Sequence, residues 1–231
     1  MAVAYLVRHG QASFGAADYD VLSEAGRAQS ALLGAELARR GVVPDRVVTG
    51  SMVRQRDTAE LALAAAGLAG PAGAGPAPEV DARWNEYDHV ALLGHHREAG
   101  AAPGFGGATE DQARAVQRAL DAAIAGWVAA GDCAACERPW SRFRDETAAA
   151  LAELLESLGR GGVGVVVTSG GVIAALCSRL LEVPPEGFVR LNRVIANASV
   201  TRVVSGRSGT SLLSFNEHAH LEGTAAPVTY R

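Results

Sequence analysis

Cysteine is scarce in this 231-residue sequence. Cys133, Cys136 and Cys177 are too few and too unevenly placed to build a disulfide framework, which fits a chain that works in a reducing compartment. Cys133-Ala134-Ala135-Cys136 has the spacing of a redox or zinc pair, but no second pair completes four ligands, and incidental loop cysteines are the plainer reading. A basic excess is missing too. The formal net charge is -4 and the arginines are scattered through helical stretches, which excludes the clustered positive surface that nucleic acid requires. Although 48% of the residues are hydrophobic, no uninterrupted apolar run approaches the roughly 18 residues that span a bilayer, so no membrane partner is expected. Val3 already belongs to the first strand, leaving no room for a basic and then apolar leader, and the expected location is the cytoplasm. His95-His96 and His218-Ala219-His220 come without the carboxylate or thiolate pattern that fixes a metal, and no metal or other cofactor is expected. Internal repeats are absent.

What is present is strand-helix alternation on a length that suits one large α/β domain. Val3 to Val7 reads as a strand. Ser23 is an N-cap for a helix that runs through Leu32, Leu33 and Leu37 to Gly41. Arg46 to Thr49 reads as a short strand, Met52 to Ala66 as a helix, and the Ala/Gly/Pro stretch from Gly67 to Pro78 as a loop. Between Asp81 and Glu137 the pattern weakens, with helical period only over Asp111 to Val128, so a lid-like insertion over about 88–137 is expected. Order returns with a helix over Phe143 to Leu158, a buried strand over Gly164 to Thr168 and a helix over Gly171 to Leu181. Val194 to Ser205 and Thr210 to Phe215 read as closing strands joined by a turn. The whole predicts a single domain, 1–231, folded as a three-layer α/β/α sandwich on a mixed, mostly parallel sheet. The apolar Val194 to Val204 strand would serve equally as a buried edge or as the seam of a homodimer.

The chemistry is concentrated at strand ends. Leu6-Val7-Arg8-His9-Gly10-Gln11 sets a titratable imidazole beside a fixed cation at the end of the first strand, where an α/β sheet presents groups to a crevice. Together with Leu22 to Gly26 and Gln29, Arg54-Gln55-Arg56-Asp57-Thr58-Ala59, Trp84-Asn85-Glu86 and Val166 to Ile173, this makes five blocks in order along nearly the whole chain. In that order they resemble the histidine phosphatase superfamily, the phosphoglycerate-mutase-like fold. The resemblance implies a phosphoryl-accepting nucleophile at His9, phosphate-binding arginines at Arg8 and Arg54, and a proton-donating acid at Glu86.

Physical chemistry agrees with those roles. A neutral imidazole can attack phosphorus, and a reference pKa of about 6.5 keeps that form abundant near neutrality. Arginine forks match phosphate oxygens and stay charged at any working pH. One carboxyl can protonate the leaving oxygen and then deprotonate water, if its pKa is raised. Two arginines and a helix start supply a positive field without a metal. Arg56 is a rival to Arg54, and Asp88 to Glu86.

The sequence departs from the family at Ser169, where members usually carry a second histidine. A serine followed by Gly170 and Gly171 still offers its O–H and the amides of a helix start to an anion, but no positive charge. His89, in the cluster Glu86-Tyr87-Asp88-His89, is a candidate to supply the missing imidazole, with Asp88 orienting it. A second departure is Gly15, where many members have an asparagine; Gln11 or Ser13 would have to cover that contact. Both departures argue against mutase chemistry. The expected activity is hydrolysis of a small phosphorylated metabolite through a phosphohistidine. The alternatives are a non-catalytic phospholigand binder and, more remotely, a serine hydrolase using Ser169, against which Val167 stands where a nucleophile elbow needs glycine.

Overall fold

A computed structural model describes residues 1–13, 20–69, 75–98, 110–132 and 137–230, with the side chains of 96–98 and 110–114 outside that description. Gly15, Cys133 and Cys136, singled out above, lie outside the described residues.

Six strands form one sheet in the order β3-β2-β4-β1-β5-β6. They are β1 (Ala2–Arg8), β2 (Arg46–Thr49), β3 (Glu79–Val80), β4 (Val163–Thr168), β5 (Val200–Gly206) and β6 (Gly209–Glu217). The first four run parallel, while β5 and β6 form an antiparallel hairpin against β1. Side chains alternate across the central strands as a period of two requires. Ala2, Ala4 and Leu6 of β1, Val48 of β2 and Val166 of β4 face one apolar cluster; Val7, Val47, Val165 and Val167 face the other. Both faces are covered, which is why these strands read as continuous apolar runs.

The helices are α1 (Glu24–Arg39), α2 (Val53–Ala65), α3 (His89–Glu98), α4 (Glu110–Ala130), α5 (Trp140–Leu158), α6 (Gly170–Leu180) and α7 (Pro185–Val194). Leu33 and Leu37 of α1 with Ala59, Ala62 and Leu63 of α2 fill one face. The other takes Phe143 and Leu151 of α5, Ile173 and Leu176 of α6, Phe188 of α7, and Leu92, Leu93, Ile124 and Trp127 from α3 and α4. The architecture is therefore the expected α/β sandwich on a mixed sheet. Helix α1 begins where the capping argument places it: the Ser23 hydroxyl accepts from the Gly26 amide at 3.0 Å. No helix among the described residues is long and apolar enough to cross a membrane.

One expectation needs correction. The stretch expected as a strand from Val194 contains no strand until Val200. Val194 ends α7, a helix with proline at its first turn, and Ile195 to Ser199 form a buried loop. Ala198 there has φ 56, incompatible with a continuing strand. Its amide donates to the Arg8 carbonyl at 3.0 Å, so the loop packs beside the end of β1.

Candidate active site

The carboxyl ends of β1, β2 and β4 bring Arg8, Gly50 and Thr168 to one edge of the sheet. His9 follows directly, buried at 5% exposure. Its amide donates to the Thr168 carbonyl at 2.9 Å, and its own carbonyl accepts from Asn197 Nδ2 at 3.1 Å. The ring is fixed at both nitrogens: Nδ1 lies 2.7 Å from the Gly10 carbonyl, and Nε2 lies 3.1 Å from Arg54 Nε. A carbonyl only accepts, so Nδ1 carries the proton and donates; the guanidinium only donates, so Nε2 holds the lone pair. Burial first, then the charges of Arg54 and Arg8, hold the imidazole well below its ordinary pKa. The ring is neutral, with its nucleophilic nitrogen facing the arginine.

Arg54 is almost completely buried, whereas its rival Arg56 is exposed. It sits in the first turn of α2, and its Nη1 meets Asp20 Oδ1 at 2.6 Å. The other Asp20 oxygen accepts from the Val53 amide at 2.8 Å, so one carboxylate caps α2 and orients the guanidinium together. Arg8, partly buried, donates through Nη1 to the carbonyls of Ile195 and Tyr230. Its side chain lies alongside Gly170, at the start of α6.

Glu86 closes the opposite side. Its Oε2 accepts from the Gly171 amide at 3.1 Å and Oε1 from the Tyr87 amide at 3.2 Å. Burial raises its pKa, against the lowering pull of those amides and of Arg54 and Arg8. The rival Asp88 is exposed, and its Oδ1 accepts from the Val90 and Ala91 amides, capping α3. His89, first residue of α3, is partly buried; burial first and then the charge of Arg54 lower its pKa, so it lies within the electrostatic reach of the pocket. The charge of Asp88 acts on the neighbouring His89 ring, pulling its pKa upward.

Ser169 is fully buried between β4 and α6 and accepts from Gln55 Nε2 at 2.9 Å. Gly170 follows beside Arg8. Gln11 is turned elsewhere: its amide oxygen accepts from the Ser23 hydroxyl at 2.9 Å. Ser13 is joined through its backbone to Val21. The structure thus gathers Arg8, His9, Arg54, Glu86, Ser169 and Gly170 and directs the Gln11 side chain to α1. Cys177 lies buried in α6, where burial pushes its thiol up to about 12, as for a packing residue. Among the described residues no group of three histidine, cysteine or acidic side chains could hold a metal.

Several contributors have no sequence signal. Asp20 acts across a gap of 34 residues and Asn197 across 188. Gln29 Nε2 donates to the Pro227 carbonyl at 2.7 Å and to Thr229 Oγ1 at 2.9 Å, pinning the tail whose Tyr230 carbonyl meets Arg8. These are pairings between distant parts of the chain, and no local pattern records them. Gln29 and Gln55 did stand in visible motifs, but only the fold shows that Gln29 holds the tail and that Gln55 faces Ser169.

No curated protein matches the chain. Solved structures do. A phosphoserine phosphatase mutant from Entamoeba histolytica, in complex with phosphoserine, is 16% identical with a TM-score of 0.66, covering 96% of this chain and 100% of that one. A phosphoglycerate mutase from Bacillus anthracis is 18% identical with a TM-score of 0.64, covering 95% and 94%. A mycobacterial glucosyl-3-phosphoglycerate phosphatase is 24% identical with a TM-score of 0.60, covering 93% and 98%. These likenesses establish the fold. The sequence profile of the histidine phosphatase superfamily (branch 1) matches residues 4–218, nearly the whole chain, with both the Arg8-His9-Gly10 strand end and Glu86 inside it, and the chain belongs to that superfamily.

Proposed function

We propose that this protein is a phosphomonoesterase that hydrolyses a small phosphorylated metabolite through a phosphohistidine on His9. The observation that carries the reading is the His9 ring, neutral and held with its Nε2 lone pair among two arginines, with a carboxyl of raised pKa across the pocket. An incoming phosphate dianion competes for Arg54 and so releases Nε2 from its hydrogen bond. Nε2 then bonds to phosphorus as the phosphorus–oxygen ester bond breaks, and protonated Glu86 gives its proton to the leaving oxygen. In the second half Glu86, now a carboxylate, takes a proton from water. The water oxygen bonds to phosphorus and the phosphorus–nitrogen bond breaks, returning His9 and releasing phosphate. Arg8, Arg54, and Ser169 with the amides at the start of α6 stabilise the charge on the non-bridging oxygens.

The fold hosts both phosphatases and mutases, so the choice between them rests on the site. A mutase must hold its substrate in two orientations and rephosphorylate it. Here the usual second imidazole is a serine, which offers no charge for that task, and hydrolysis is the less demanding outcome.

Hydrolysis of an aryl phosphate between pH 5 and 8 in excess chelator, wild type against His9→Ala, tests the reading. We expect chelator-resistant turnover that falls on the order of 10³-fold or more in the variant. Equal rates in both would remove His9 from the mechanism. Absence of turnover in both, with phosphate still bound, would make the protein a phospholigand binder.

A further inference from the structure

Ser169 caps α6, yet its hydroxyl does not accept from any amide of that helix, which is the usual service of a serine in this position. Its lone pair is given to a side chain from α2 instead. Gln55 Nε2 donates to Ser169 Oγ at 2.9 Å and to the Trp84 carbonyl at 3.1 Å, and both residues of the pair are fully buried. The Trp84 carbonyl can only accept, so the nitrogen end of the amide must face it, and the same nitrogen faces the serine. That carbonyl is itself fixed by the Thr168 hydroxyl, which donates to it at 2.6 Å. A hydroxyl has one proton. With Gln55 occupying it as an acceptor, the Ser169 proton must point away from Gln55. The peptide that follows Ser169 opens α6 beside Arg8, where the phosphoryl group would sit.

We propose that Gln55 is a positioning residue, which fixes the Ser169 hydroxyl as a one-way hydrogen-bond donor to the phosphoryl oxygens. The inference rests on the reading of this pocket as a phosphoryl site and deepens it. Where a histidine would bring both a proton and a charge, this pair brings a proton whose direction is set from behind. A hydroxyl left to rotate would divide its time between donating and accepting; one with a dedicated donor behind it is preorganised for an anion, as an oxyanion site requires. Gln55 itself reaches no reacting atom and acts only through Ser169.

The test reads oxyanion binding, so it gives an answer whether or not the protein turns over a substrate. Vanadate and inorganic phosphate are titrated calorimetrically into wild type, Ser169→Ala, Gln55→Met and the double variant, with melting temperatures recorded alongside. Loss of one hydrogen bond to a charged ligand predicts about tenfold weaker vanadate binding in Ser169→Ala. Gln55→Met should lose nearly as much. The double variant should bind no more weakly than Ser169→Ala alone, because the amide has nothing left to direct. Wild-type affinity in Gln55→Met, or losses that add in the double variant, would overturn the proposal.

Should Gln55→Met not fold, Gln55→Glu keeps the size and replaces the donor with an acceptor. It should weaken vanadate binding more in the Ser169 background than in the Ser169→Ala background, and an equal effect in both would overturn the proposal. Failure of the phosphatase reading is seen separately, as absent turnover with anion binding intact.

Discussion

At the scale of single residues, the pocket holds two titratable groups that burial displaces in opposite directions: the His9 pKa goes down and the Glu86 pKa goes up. In each case burial disfavours the charged form. For Glu86 this has a cost in stability that can be read directly. Its ordinary pKa is 4.5, and the folded protein holds the proton more tightly than the unfolded chain does. Such a group contributes its full stability below pH 4.5 and loses it as pH climbs through the raised folded value. Glu86→Gln keeps the shape without the ionisation. Its melting temperature relative to the wild type should therefore rise from pH 4 to pH 8, while turnover falls sharply and the residual rate loses the alkaline decline that deprotonation of the acid imposes. Melting curves and rates taken across that range check both. Of this pocket the sequence disclosed its titratable and charged groups, because Arg8-His9-Gly10 and Trp84-Asn85-Glu86 are local strings. It did not disclose what fixes them. Asp20 behind Arg54, Gln55 behind Ser169 and Asn197 behind the His9 carbonyl are choices made by tertiary packing.

At the scale of elements, the loop after β1 and the first turn of α1 are fitted to one another through two glycines. A Cβ on Gly10 would collide with the Gly26 carbonyl, and a Cβ on Gly26 would collide with the backbone of Gln11. Backbone against backbone has little room to give. The Gly10 amide donates to Thr58 Oγ1 at 3.0 Å, so the same approach joins α2 to the strand end that carries His9. Gly26→Ala should cost about 1–3 kcal/mol, which for a chain of this size lowers the melting temperature by several degrees. It should also reduce turnover, since His9 moves with its loop; thermal melts and kinetics on the one variant measure both. Helix α1 was legible because Ser23, the apolar spacing and the closing glycine are all local. Helix α7 was not. Its ten residues begin with Pro185, directly after Pro184, and run into the buried Ile195 to Val200 stretch, so the period of two that marks β5 was read several residues too early. The distinction matters for the site, because Asn192 of α7 donates to the Tyr87 hydroxyl at 2.9 Å, next to Glu86.

At the scale of the whole molecule, the helices between Glu86 and α5 share the core of the sheet. Trp127 of α4 packs with ring centroids 5.4 Å from both Tyr87 and Phe143 and 5.2 Å from Trp140, and its Nε1 donates to the Arg138 carbonyl at 3.1 Å. This aromatic group ties α4 to α5 and to Tyr87, next to Glu86. Trp127→Ala should cost about 3–5 kcal/mol. The destabilisation should be felt by the entire fold, as a lower midpoint of a single denaturant transition with the slope unchanged. A separate early transition confined to α3 and α4 would contradict it.

The sheet also places β1 at its centre, with Val3 opposite Val163 on one side and Val204 on the other. Both neighbours of β1 are thus encoded late. At synthesis rates of about 5–20 residues per second, a ribosome needs on the order of ten seconds or more after making β1 to supply its first partner. Throughout that interval an apolar strand with two unsatisfied edges is exposed. The order in which the chain is supplied, and not only the stability of the finished sheet, therefore sets when β1 can be paired.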